Sequence, residues 1–417
     1  MGTEAGQDLV RQLQRNEYET RLAKSPVNDG NTTSPDGVAA TCDEQRPQCQ
    51  KCMSFGVTCN YDAPPGMDLQ PAWQAKPTDK ANDRGFREVI FNADPCRRTL
   101  DPIVVVGVGR DSFLMTLDCQ GLFDRFINRT VLTFGGSGNE NIYQKQVVEL
   151  AFQRPFLMHI ILTITATHDR FIQDGPGCHK QSLAESYHGA KGAQLLSRKL
   201  SSQIHPDDRD PIWASAAMLG ISSMTTLEAA APREAWPFKP SESADLNWMD
   251  MSARKEAILN LTDPFRGDSI FRSMKDTFFT IMERPASRPI DELPKDFVEL
   301  CSINNTPDPE ENPYYYAISM LAGLRYLKCN RDSIPFWLKF IGFMTPEFRR
   351  LLELKDPRAL LLTAYWYAPL CGSVWWIARR ARLECQSICL YLETYYSQEV
   401  DIQKLLELPR QASGLSN

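Results

Sequence analysis

KDPRALLLTAYWYAPLCGSVWWIARRARLECQSICLYLE, residues 355–393, is the stretch on which the fold turns. Val374, Ala378, Ala381, Cys385, Ile388, Leu392 and Tyr395 recur at alternating steps of four and three, which places them on one stripe of a helix. Arg379, Arg380 and Arg382 fall off that stripe, and the expectation is a solvated face. Glu384 is offset as well and is expected to tolerate alanine. Residues 360–378 carry no charge over a length that could span a bilayer. Pro369 and Gly372 interrupt that run, so the expectation is two buried helices joined by a turn, and no membrane span.

Outward from this stretch the helical period continues. Residues 147–172, VVELAFQRPFLMHIILTITATHDRFI, predict two helices meeting near Pro155. Residues 185–200 predict a helix with Tyr187, Ala190, Leu195 and Leu196 available for burial. Residues 211–227 open with Pro211 at a first helical position. Residues 314–328 and 336–343 continue the pattern. Strand signal is thin, IVVVGVG at residues 103–109 being the best case. The fold class expected is all-α, with a helical domain over residues 111–408 and a short tail at 409–417.

The front of the chain is different in kind. Residues 1–41 hold one marginal helix around Leu9, Val10, Leu13, Tyr18 and Leu22, then a Ser/Pro/Asn/Gly-rich flexible segment. Residues 63–110 are a second linker with no heptads. The stretch MGTEAGQDLVRQLQRNEYET has no apolar core of signal-peptide type, so secretion is not expected. With 417 residues, 42% apolar content and a net charge of −6, most of the chain should be globular and is no general magnet for nucleic acid.

Between the linkers, residues 42–62 read CDEQRPQCQKCMSFGVTCNYD. Cys42, Cys49, Cys52 and Cys59 follow the spacing Cys-x6-Cys-x2-Cys-x6-Cys. Zinc takes thiolates tetrahedrally, and a Cys-x-x-Cys turn presents two of them to one ion. Such bonding supplies about 10–16 kcal/mol, enough to fold a peptide with almost no core. Four unliganded thiols in a polar loop are the bland alternative, and an oxidation liability.

This segment resembles the second half of the fungal binuclear zinc cluster, the six-cysteine finger of fungal transcription factors. The Cys-Asp-Glu opening, Pro47, the Cys49/Cys52 pair and Gly56 all match, and the four cysteines would be the third to sixth ligands. The upstream Cys-x-x-Cys and the basic run between the family's second and third cysteines are missing; SPDGVAAT stands before Cys42. The body motifs at 150–171, 185–200 and 355–393 are similar to the C-terminal regulatory domain of factors of the sterol uptake control protein group. The resemblance implies a nuclear regulator of genes transcribed by RNA polymerase II, and not an enzyme. It also implies DNA as partner, a zinc cofactor, an apolar small-molecule ligand in the body and a homodimer. The missing half-finger puts direct DNA binding in question. The alternative expectation is a ligand-sensing or protein-interaction module that has lost DNA binding.

Other motifs are weaker. GVGRDS at residues 107–112 lacks a third glycine and a βαβ setting, so a plain turn is expected. GGSGNE at 135–140 lacks the Gly-Lys-Ser/Thr of a phosphate loop. His159, His168, His179 and His188 are spaced nine, eleven and nine apart, which fits no helical metal pair, and His159 and His168 are expected on helix faces. No Ser–His–Asp or Cys–His arrangement is specific enough to name.

Overall fold

The computed structural model describes residues 104–107, 111–134, 140–174, 180–284, 286–304 and 308–415. Cys42, Cys49, Cys52, Cys59, His179, the front helix, the first linker and all of the expected second linker (63–110) except residues 104–107 lie outside them; residues 104–106 are a strand rather than linker. The described residues start with a small hairpin, β1 (Val104–Val106) and β2 (Phe113–Met115), paired antiparallel with Val105 opposite Leu114. Alternation puts Val106 and Met115 in the core and leaves Val105 and Leu114 facing out. The first strand matches the expectation at residues 103–109. The second, only three residues long, offers no period to detect. Gly107 turns the chain at φ +91°, and a Cβ there would lie 2.4 Å from Pro155 Cγ, so this glycine serves a tight turn against the body.

Helices make up the rest, as the sequence predicts. They are α1 (Leu117–Arg125), α2 (Val147–Gln153), α3 (Pro155–Asp174), α4 (Leu183–Leu200), α5 (Arg209–Thr225), α6 (Asp250–Thr262), α7 (Lys275–Met282) and α8 (Lys295–Leu300). There follow α9 (Tyr315–Leu324), α10 (Ile334–Trp337), α11 (Lys339–Gly342), α12 (Pro346–Glu353), α13 (Pro357–Leu370), α14 (Trp375–Tyr395), α15 (Val400–Leu405) and α16 (Glu407–Ser413). The α2–α3 break falls at Pro155, because a residue before proline is pushed out of the helical region; Arg154 sits at φ −127°, ψ 92°. Pro211 is the third residue of α5 rather than the first, a position where its missing N–H still costs nothing. Residues 336–343 fall within two single turns, α10 and α11, rather than one helix.

Two apolar cores share this body. One is built mainly by α1–α5, with Leu157, Ile161 and Ile164 of α3 fully buried. The other is built by α9–α16 around Trp366, Tyr367 and Ile388. Ile221 of α5 and Trp375 of α14 pack against both.

Residues 360–378 become the end of α13 and the start of α14, joined by a turn at 371–374. Asp356 caps α13 by accepting from the backbone N–H of Arg358 and Ala359, both at 3.0 Å, with Pro357 at the first helical position. Among the described residues no helix is long and apolar enough to cross a membrane. The α14 stripe is buried as the period requires from Ala378 to Leu392; Tyr395, at its end, is 61% exposed.

Candidate functional site

The opposite face of α14 overturns an expectation. Arg379 and Arg380 are buried, not solvated, and Arg382 is half-buried. Arg379 donates to the carbonyls of Leu227 and Ala229, at 2.7 and 2.6 Å. Arg380 donates to Met224 O at 3.1 Å, to Thr226 O, and to Glu384 Oε1 at 2.5 Å, with its guanidinium 4.6 Å above the Trp248 ring. Arg382 donates to Cys371 O at 3.2 Å.

Glu384, expected to tolerate alanine, is 2% exposed and accepts from both Arg380 and the Tyr367 hydroxyl. Burial raises its carboxyl above the ordinary value, against the pull of Arg380. Ser387 donates to Ala235 O at 2.9 Å and accepts from Phe238 N at 3.2 Å. A guanidinium fork is suited to carbonyls that have no strand or helix partner. These residues therefore hold the irregular segment after α5 against α14.

His159 and His188 form a second polar constellation, in the first core. α3 and α4 run side by side, and Gly192 permits the approach: a Cβ there would lie 3.0 Å from Ile160 Cγ1 and 3.3 Å from His159 Cβ. His159 Nδ1 and His188 Nδ1 come within 2.8 Å. Phe113 of β2 stacks on His159 with centroids 4.3 Å apart. Cys119, in the first turn of α1, places Sγ 3.6 Å from His188 Nε2. Thr116 caps α1, accepting from Cys119 N and donating to Sγ at 3.3 Å.

Burial pushes His159 down to about 2 and His188 to about 4, so both rings are neutral at pH 7 and share one proton between their Nδ1 atoms. His159 Nε2 is buried without a hydrogen-bond partner, a cost of about 1–3 kcal/mol. A tetrahedral zinc would hold two imidazole nitrogens roughly 3.3 Å apart. Moreover, Cys119 faces the far nitrogen of His188. The pair is therefore a hydrogen bond, and among the described residues no group of three His, Cys, Asp or Glu is arranged to hold a metal.

His168 sits apart. It shares a hydrogen bond with Thr130 Oγ1 at 3.0 Å and stacks on Trp375, centroids 4.3 Å apart and rings 8° from parallel. Burial lowers it to about 4. It ties α3 to the start of α14. Of the four histidines singled out by spacing, the fold thus joins His159 with His188 and adds Cys119. Nothing in the spacing signalled that thiol, 69 residues from its partner. GVGRDS begins with the Gly107 turn and opens no βαβ unit, since β1 pairs antiparallel with β2. Of the GGSGNE run, Glu140 is described, and it pairs with Arg331 at 2.7 Å.

Two of the hollows among the described residues stand out. One, of about 620 Å³, is open and lies beside Gln146, Asp268 and Arg272. The other is a narrow apolar crevice among Tyr316, Met320, Phe340, Phe343 and Phe348, with room for about one water.

No family model matches the chain. It is 23% identical over 355 residues to Sterol uptake control protein 2 of Candida albicans. The alignment covers 81% of this chain and 48% of that protein, so the chain spans about half the length of the relative. At that coverage most of the aligned residues must come from the helical body.

Proposed function

We propose that this chain is a nuclear transcription regulator of fungal zinc-cluster type, with a helical body that senses an apolar small molecule. The observation that carries the proposal is the likeness of the body to Sterol uptake control protein 2, behind a cysteine segment of finger spacing. The body's two cores and its guanidinium-bound loop serve as a rigid sensor. Genes transcribed by RNA polymerase II are the targets, and a homodimer is the expected assembly.

The full chain, tethered to an unrelated DNA-binding module upstream of a reporter, should change reporter output when sterol is supplied or withdrawn. Output that never departs from that of the module alone would overturn the proposal.

Cys42, Cys49, Cys52 and Cys59 supply four thiolates, the set for one tetrahedral zinc and too few for a six-thiolate pair of ions. Titration with cobalt, followed by thiolate charge-transfer absorption, should therefore saturate at no more than one ion per chain. Two tight ions would show that ligands come from elsewhere.

The alternative, an interaction module without its own DNA contact, is favoured by charge. The first 62 residues carry six Lys or Arg against nine Asp or Glu. Neutralised phosphates supply most nonspecific affinity, with a salt slope of about −0.9 each. Fluorescence anisotropy with CGG-bearing duplexes should show no sequence-selective binding near the ~10⁻⁸ M of specific sites. Nanomolar, zinc-dependent, selective binding would restore direct recognition.

A further inference from the structure

We propose that residues 11–22 of this chain, RQLQRNEYETRL, dock as a helix on the apolar crevice between α9, α11 and α12, so that the front of the chain is an internal ligand of its own body. The segment lies outside the described residues, and its side of the contact is read from the sequence.

The body's side is an apolar crevice with an acidic rim. Met320, Phe340, Phe343, Met344 and Phe348 line it, and the two methionines are unbranched chains that repack around an incoming group. Tyr316, also in the lining, is half-buried and donates its hydroxyl to Glu310 at 2.8 Å. Asp308, Glu310 and Glu311 stand exposed just ahead of α9, and Glu347 stands exposed in the first turn of α12 beside Phe348. Among the described residues none of these four carboxylates is in an ion pair. Arg284, 4.4 Å from the Tyr316 ring, offsets part of their charge. The occupant that fits is therefore apolar at one end and cationic at the other.

Residues 11–22 have that character. Wound as a helix, Arg11, Arg15, Tyr18 and Leu22 recur at steps of four, three and four and share one face. Two guanidinium groups come first on that face and two apolar side chains follow, the spacing by which a helix anchors in a groove. A helix this short is marginal in water and gains its stability by packing one face. Tyr18 and Leu22 enter the crevice, and Arg11 and Arg15 meet the carboxylates of the rim. At up to ~3.5 Å per residue, the chain between Leu22 and Val104 is long enough to reach any face of the body.

A tether makes a weak contact sufficient. With an effective concentration of about 0.1 mM and a Kd of about 10 µM, the crevice is filled in about nine-tenths of the molecules, and a competing peptide binds about tenfold more weakly. The front of the chain thus guards this surface against other basic helices.

The test is fluorescence anisotropy with a labelled peptide of residues 8–24, added to the full chain. We expect the chain carrying Tyr18→Ser and Leu22→Ser, its crevice vacated, to bind the peptide about tenfold more tightly than the parent does. On that vacated chain, a peptide with the same two serines should bind at least about tenfold more weakly, although it keeps every arginine. Adding Glu310→Lys, Glu311→Lys and Glu347→Lys, all at exposed positions, should weaken the unchanged peptide by at least about tenfold as well. If the serine chain does not fold, Arg11→Glu with Arg15→Glu provides the vacated form.

Equal peptide affinity in parent and vacated chain would overturn the internal contact and leave the crevice to a partner in trans. Undiminished binding of the serine peptide would reduce the attraction to charge alone and overturn the docking. Undiminished binding after the three lysine substitutions would place the peptide elsewhere, with the same consequence.

Discussion

α3 and α14 both bury polar side chains in the middle of a core, by opposite means. α3 buries His159 and His168 as neutral rings, and α4 adds His188; burial itself has removed their charge. α14 buries Arg380 with Glu384 as its partner, and its guanidinium donors are spread over carbonyls of a loop. A histidine can shed its proton when desolvated; an arginine cannot. The first core is therefore vulnerable to acid, and the second to loss of a partner.

The largest effect should come from breaking the α14 pair. Arg380→Ala leaves a buried carboxylate and orphaned carbonyls, and Glu384→Ala leaves a buried guanidinium. Each should cost about 3–5 kcal/mol in urea unfolding. The double change Arg380→Met with Glu384→Leu should cost less than either single change, because two apolar side chains remove the mismatch. If Glu384→Ala melts like the parent, the contrast between the two cores fails.

Acid should have the next largest effect, and it sharpens the contrast. Unfolded histidines take up protons near pH 6.5, whereas folded His168 and His188 do so near 4 and His159 near 2. Below about pH 6.5 the unfolded chain therefore binds more protons, and stability falls as pH falls. The slope is about 1.4 kcal/mol per pH unit for each histidine, flattening as the folded rings titrate. Urea midpoints between pH 7 and 5 measure it. A protein with leucine at all three positions should lose most of that dependence, and Arg380→Met with Glu384→Leu should keep it.

The smallest effect is expected from His159→Leu combined with His188→Met. Both ends of one neutral hydrogen bond and an unpartnered nitrogen are replaced by apolar volume, so the change should lie within about 1 kcal/mol. A loss of several kcal/mol would mean that the pair carries more of the core than its bonding suggests.

The α14 stripe was legible because a period needs only neighbours in sequence, and Ala381, Cys385 and Ile388 are buried where it puts them. The second face of α14 was not legible. One period announces one packing partner, and the carbonyls that take up Arg379 and Arg380 belong to a segment far upstream. Arginine off a stripe looks the same whether water or a loop satisfies it. The His159–His188 pair was hidden for a related reason, since it depends on how closely two helices approach at Gly192. The zinc ligands expected from the sequence, Cys42, Cys49, Cys52 and Cys59, lie outside the described residues, and only their spacing points to a metal.

The bonds from α14 to residues 223–238 join positions 149 to 157 apart in the chain. That separation is also a delay in time. Translation adds about 5–20 residues per second, so roughly 8–30 s pass between synthesis of the loop and synthesis of the helix that holds it. The core built mainly by α1–α5 draws on residues made early and can close on the ribosome. Through that interval Trp236 and Trp248, which belong to the later core, have no α14 to cover them. The nascent chain thus carries an apolar, protease-accessible flap with a defined lifetime, and chaperone capture should concentrate there.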